Sequence, residues 1–266
     1  MELVFYANGR DCGRAAANVE DAIARKVDLF IQYCHDPQAN AILGDKLKAA
    51  GIPVLAVNEP VPGAPLYTLD NAAAGRLAGD ALGDFAVRSW RGQPVEGVII
   101  GPLTARGVPE RARGVQERLP RHVPRVRVTS LDTQGNVAQV APLLVKLLAA
   151  RPGAKMLIAA MDDATALAAK SALESFGRLP DAAIVGQGLD RSMHGGMSDR
   201  KEIDPTNRGS IVLGSVAFYL DRYGYEILPL AMRMLRGEPL PPRTVTAHRL
   251  VTAANVFVEY PPYDMQ

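Results

Sequence analysis

The chain has 266 residues, 48% of them hydrophobic and 22% charged, with 30 Lys and Arg against 28 Asp and Glu for a net charge of +2. These proportions match an ordinary globular protein and exclude disordered, collagen-like and coiled-coil architectures. The scattered basic residues supply no electrostatic footprint for nucleic acid, and no run approaches the roughly 18 apolar residues of a membrane-spanning helix.

In chain order, short apolar or β-branched runs alternate with longer amphipathic stretches, the pattern of βα units around a parallel sheet. Met1 is followed at once by an expected strand, Leu3–Ala7, with neither a basic start nor an apolar signal core. A helix over Arg14–Arg25, a strand over Val27–Tyr33 and a helix over Pro37–Ala50 come next, the last stopped by Gly51-Ile-Pro. The strand Ile52–Asn58 leads into a Pro/Gly-rich connection, Glu59–Pro65, and a short extended piece, Leu66–Asp70. Asp70-Asn71 then caps a helix running to Trp90. Further on, strands are expected over Val95–Gly101, Val126–Leu131, Lys155–Met161, Ala182–Gln187 and Ser210–Ala217. The helices between and after them are Pro109–Leu119, Val137–Ala150, Asp163–Phe176 and Arg222–Leu235. Leu189–Arg208 is polar and glycine-containing and reads as a long surface loop. Most strands are continuous apolar runs, as sheets covered on both faces require. At roughly 100–200 residues per domain the length suits two lobes, and the extended joins fit two sheets better than one barrel.

The ordered series of motifs resembles the type I periplasmic binding proteins, the sugar-binding components of ABC importers. Their fold is shared by the effector domains of lactose-repressor-type regulators. The resemblance is carried by Val27–Tyr33, Ala50–Asn58, Asp70–Gly75, Gly101, Glu110–Gly114 and Ile158–Asp163. It continues through Ile184–Gln187, Gly214–Phe218 with Tyr223-Gly224, Leu235–Pro242 and Asn255. It implies an α/β fold of two doubly wound parallel-sheet lobes joined by crossover hinges. Lobe 1 would take residues 1–68 and 218–250, and lobe 2 residues 69–217 with the tail 251–266. In that family a strand-helix unit of roughly 40 residues precedes the segment matching Leu3–Ala7. The chain is therefore expected to be N-terminally incomplete, with lobe 1 poorly stable or remodelled.

Ligands of open α/β sheets bind beyond the carboxyl ends of the strands, where this sequence places several polar residues. The resemblance assigns ligand contact to Asn58, Glu59, Gln134, Asp162, Gln187 and Phe218. The plain structural roles beside these are a strand-to-loop turn for Asn58-Glu59, a helix N-cap for Asp162 and hinge packing for Phe218. Where sugar-binding relatives carry an arginine just before Glu110, this chain has Pro109. Arg106 and Arg111 are left to substitute, and Arg111 reads first as a structural salt-bridge partner. A site of amides and carboxylates suits a sugar or polyol, whose hydroxyls both donate and accept.

The resemblance thus implies a solute-binding protein that closes on a small polar ligand in the inter-lobe cleft and presents it to a membrane permease. It would be a periplasmic monomer, without catalysis, cofactor, metal or nucleic-acid partner. The rival readings are a regulator's effector domain and a Rossmann-like sugar-modifying enzyme, for which no nucleophile or acid/base set assembles. His35, His122, His194 and His248 look isolated, so no metal is expected. Cys12 and Cys34, which lack zinc-site spacing, read as free thiols. Trp90, near Phe85, reads as packing.

Overall fold

A computed structural model of the chain describes residues 2–9, 11–194, 201–207 and 209–261. The chain divides into two compact units: the residues up to Leu69 with Leu220–Thr246, and Asp70–Tyr219 with the residues from Ala247 onward. Among the described residues, no helix is long and apolar enough to cross a membrane.

The first unit carries α1 (Cys12–Ala24), β1 (Phe30–Gln32), α2 (Pro37–Ala49), β2 (Val54–Val57), β3 (Leu66–Thr68), α8 (Tyr223–Leu235) and β9 (Arg243–Val245). Its sheet runs β1-β2-β3-β9, all parallel. One face is covered by α1 and α2, where Ala15, Val19, Leu43 and Leu47 meet Val54 and Ala56. On the other face Leu55, Val57 and Tyr67 pack against Ile227 and Ala231 of α8. Both helices after the first two loops begin on an aspartate. Asp11 accepts the Gly13 N–H at 2.8 Å and Asp36 accepts the Ala39 N–H at 2.7 Å, each cap contributing about 1 kcal/mol.

The expected strand over Leu3–Ala7 does not form. The segment makes no ladder, and Leu3, Val4 and Phe5 are exposed. An apolar run makes a strand only where a neighbour offers a ladder, and β1 pairs with β2 alone. Tyr6 and Asn8 tether the segment: the Tyr6 hydroxyl donates to Asp21 at 2.7 Å, and Asn8 Nδ2 donates to the Tyr33 carbonyl at 2.7 Å.

The second unit holds α3 (Asn71–Ser89), β4 (Val95–Gly101), α4 (Val108–His122), β5 (Arg127–Asp132), α5 (Val140–Ala150), β6 (Lys155–Ala160), α6 (Asp163–Ser175) and β7 (Ala182–Gly188). It continues with α7 (Arg191–His194), β8 (Val212–Ala217), β10 (Arg249–Val251) and α9 (Val256–Glu259). The sheet order is β10-β8-β7-β6-β4-β5, parallel except for the antiparallel edge strand β10. Ile100, Met156, Ile158 and Ile184 of the sheet pack with Leu144, Leu148, Ala169 and Leu173 of α5 and α6. On α3, Ala74, Ala78, Leu82 and Ala86 are buried as well, as are Val115 and Leu119 of α4.

The α3–α4 contact depends on glycines. A Cβ on Gly75 would collide with the backbone carbonyl of Arg111, and one on Gly114 with the carbonyl of Ala72. Only residues without a side chain let the two backbones approach this closely.

The expectation of a surface loop over Leu189–Arg208 also needs correcting. Residues 195–200 and 208 lie outside the described residues, but Leu189, Met193 and Ile203 are buried in the core of the second unit. Three apolar residues spaced irregularly through a polar segment carry no period, so the core contribution was hidden. Trp90 packs edge-on against Phe85, with centroids 4.9 Å apart, as expected.

Candidate functional site

In the second unit, polar groups collect beyond the carboxyl ends of β6, β7 and β8. Asp162 follows β6 and is the N-cap of α6, its carboxylate accepting the Thr165 N–H at 2.7 Å. Gln187, near the end of β7, is buried. Its Nε2 lies 4.0 Å from the Met161 sulfur and its Oε1 has no hydrogen-bond partner among the described residues. Phe218 follows β8, is buried, and its backbone N–H donates to the carbonyl of Gly188 at the end of β7, at 3.1 Å.

Arg111 joins these three. From the first turn of α4 its Nη1 donates to the Met161 carbonyl at 2.8 Å, and its guanidinium carbon stands 5.0 Å from the centroid of the Phe218 ring. Among the described residues Arg111 makes no salt bridge, so that expectation is corrected: its partners are a backbone carbonyl and an aromatic ring. Burial pulls the Arg111 guanidinium down to about 10, against the opposing charges of Asp162 and Glu110. Among the described residues its Nε is buried without a hydrogen-bond partner, as is Oδ1 of Asn71 at the start of α3. Buried polar atoms without a partner are uncommon in folded proteins. Here they lie on Gln187 near the end of β7 and in the first turns of α3 and α4.

His248 completes the floor. Its Nε2 accepts the Asp70 N–H at 3.1 Å, and its Nδ1 lies 2.9 Å from the Ala217 carbonyl. A carbonyl only accepts and a backbone N–H only donates, so the ring is neutral with its proton on Nδ1. Burial lowers its pKa, with a smaller contribution from Arg111 in the same direction. The ring meets Phe218 at 5.4 Å between centroids. His248 is therefore not isolated. Its hydrogen-bond partners Asp70 and Ala217 are separated from it by 178 and 31 residues, a proximity that no spacing rule reads.

Gln134 stands apart from this group. It lies past the end of β5, exposed, with a left-handed φ of 51° and its N–H donated to Asp132 at 2.9 Å. In the first unit Asn58 and Glu59 follow β2. Asn58 adopts φ 58°, which asparagine tolerates better than most residues, and its Oδ1 accepts the Tyr223 hydroxyl at 3.2 Å. Burial pushes the Tyr223 hydroxyl up to about 12, so it remains a donor at any physiological pH. Glu59 is buried, and its carbonyl accepts from Asn40 Nδ2 at 3.1 Å; Asn40 in turn accepts from Gln32 Nε2 at 2.9 Å. That amide chain holds the Asn58-Glu59 turn against β1.

Taken together, the second unit presents a cation, a carboxylate, a buried amide and an aromatic face. Such a set can hydrogen-bond hydroxyls while covering the apolar side of a small ring.

Residues 2–239 match the family model described as a periplasmic binding protein domain. No curated protein sequence matches the chain. Among solved structures, the chain is similar to the sugar-binding protein of a sugar ABC transporter from Bacillus halodurans, at 19% identity and a TM-score of 0.77, covering 94% of this chain and 86% of that one. It is similar to a solute-binding protein from Actinobacillus succinogenes 130z with bound D-allose, at 18% identity and a TM-score of 0.75, covering 96% and 87%. A third is a solute-binding protein from Bacillus halodurans C-125 with bound myo-inositol, at 20% identity and a TM-score of 0.71, covering 98% and 86%. At these identities the likeness speaks for the fold.

Proposed function

The chain belongs to the periplasmic-binding-protein-domain family, and from that premise we propose that it is the periplasmic solute-binding component of an ABC importer for a sugar or polyol. The observation that carries this reading is the Arg111 group. Arg111 Nε and Gln187 Oε1 are buried, lack partners among the described residues, and sit with Asp162 and Phe218 where ligands of α/β sheets bind. A ligand hydroxyl that accepts from Arg111 Nε and donates to Gln187 Oε1 satisfies both orphaned atoms, and a second hydroxyl can donate to Asp162. The ring of Phe218 receives the ligand's C–H face. The related proteins with bound D-allose and myo-inositol support the choice of a hydroxyl-rich ligand.

In the first unit Asn58 and Glu59 are an amide and a carboxylate suited to hydroxyls, and in the second Gln134 is an exposed amide of the same kind. The mechanism is capture: ligand favours a closed state by its differential affinity, and the closed form is what the permease recognises. No bond is made or broken.

The test is a thermal-shift screen of the full chain with pentoses, hexoses, cyclitols and glycerol, followed by calorimetry on whatever shifts the midpoint. One sugar or polyol is expected to bind saturably. Turnover of a candidate ligand, or specific DNA retention without any sugar response, would overturn the reading.

A further inference from the structure

We propose that Cys12 and Cys34 form a disulfide by exchange with a low-molecular-weight disulfide of the glutathione type, clipping the start of α1 to the end of β1. The two sulfurs are 2.8 Å apart although the residues are 22 apart in sequence, and His35 Nδ1 lies 3.9 Å from the Cys12 sulfur. That sulfur separation is inside van der Waals contact but long of the roughly 2.05 Å of a formed bond. The thiols are free in the structure, and the fold has already brought them into reach.

The surroundings explain what a covalent link would do there. The segment before α1 makes no strand ladder. Its ties to the sheet are the Asn8–Tyr33 hydrogen bond and the Tyr6–Phe30 ring contact at 6.0 Å. α1 itself holds Ala15 and Val19 in the core of the first unit, and its amino end has little else to anchor it. A bridge closing a loop of this length removes much of the unfolded chain's freedom.

The pair is also asymmetric in the way an exchange site needs. Cys12 is partly exposed and His35 is exposed, while Cys34 is 3% exposed. Burial pushes the Cys34 thiol up, and the adjacent Cys12 thiol adds to that, so Cys12 is the first to react. His35 Nδ1 accepts the Cys12 proton, and the thiolate attacks one sulfur of the external disulfide. The external S–S bond breaks and one thiolate leaves, taking the proton of Cys34. The Cys34 sulfur then attacks that of Cys12, the mixed disulfide breaks, and the second thiolate departs with the proton held by His35. Two protein thiols are oxidised and one external disulfide is reduced to two thiols.

The inference is independent of the ligand-binding reading, and it is tested on the full chain. Reduced protein is incubated with oxidised glutathione, denatured, alkylated and mapped by mass spectrometry, with thermal unfolding measured in parallel. Expected are loss of both alkylation sites, a Cys12–Cys34 linked peptide, and a midpoint raised by about 5–10 °C and returned by dithiothreitol. Cys34→Ala is expected to trap glutathione on Cys12, and Cys12→Ala to resist modification. Full alkylation of both cysteines after oxidation, glutathione retained on wild-type Cys12, or protection that a zinc chelator removes would each overturn the proposal.

Discussion

The guanidinium of Arg111 stands 5.0 Å from the centroid of the Phe218 ring, joining the first turn of α4 to the residue after β8. Stacking on an aromatic face fixes the plane of the guanidinium and hence the direction of its unpartnered Nε. Phe218→Leu keeps an apolar side chain but removes that platform. Because a cation–π contact contributes about 0.5–2 kcal/mol, the ligand dissociation constant is expected to rise about 10-fold in calorimetry. The unfolding midpoint should move little.

The position of Arg111 depends in turn on how closely α4 sits on α3. Gly75→Ala drives a methyl group into the carbonyl of Arg111 itself, and Gly114→Ala does the same to Ala72. Neither backbone can yield without separating the helices. Each substitution is expected to cost about 1–3 kcal/mol in denaturant unfolding. Gly75→Ala should also weaken ligand binding, because the displaced carbonyl belongs to the residue that makes the site.

Asp163 gives an unusual pH signature. Its carboxylate is buried, accepts the Ser215 hydroxyl at 2.6 Å and the Asp190 N–H at 2.8 Å, and is raised by burial to about 6. A carboxyl group raised in the native state binds its proton more tightly there than when unfolded. Its contribution to stability is therefore greatest at low pH and is lost as pH rises from about 4 to 6. Comparing unfolding free energies of wild type and Asp163→Asn across that range should show a difference that changes by on the order of 2–3 kcal/mol. The variant carries a constant penalty besides, since an amide nitrogen then faces one of the two donors.

His248 slopes the other way. Its neutral ring bridges Asp70 and Ala217, and its pKa is lowered, chiefly by burial. The group stabilises the fold fully above the unfolded value near 6.5, and that contribution disappears as pH falls through the lowered native value. A second proton would sit on Nε2, against the N–H of Asp70. In His248→Gln the slope of stability on acidification below pH 6.5 should be shallower than in wild type, read by urea unfolding at fixed pH steps.

The alternation of apolar runs and amphipathic helices was enough to read the sheets and most helices, because buried parallel strands need continuous apolar sequence and helices need a 3.6-residue period. The aspartate caps of α3 and α6 are equally visible. Leu3–Ala7 reads as a strand but forms none, because an apolar run records which residues favour burial and says nothing about whether a ladder partner exists. Arg111 reads in sequence as a salt-bridge partner, whereas its partners in the fold are Met161, 50 residues away, and Phe218. His35 and His248 looked isolated for the same reason. Their neighbours are set by which loops end on the same sheet edge, and that appears only once the chain is folded.

Arg111 is the centre of the account, and one calorimetric titration tests it most directly: wild type and Arg111→Met against the sugar or polyol that responds in the thermal screen. Methionine retains an unbranched apolar stem over Phe218 while removing every donor. The expected result is wild-type binding at about micromolar or tighter, about 8 kcal/mol, weakened about 100-fold in the variant, with both proteins folded. An unchanged dissociation constant in Arg111→Met would contradict the assignment of this site.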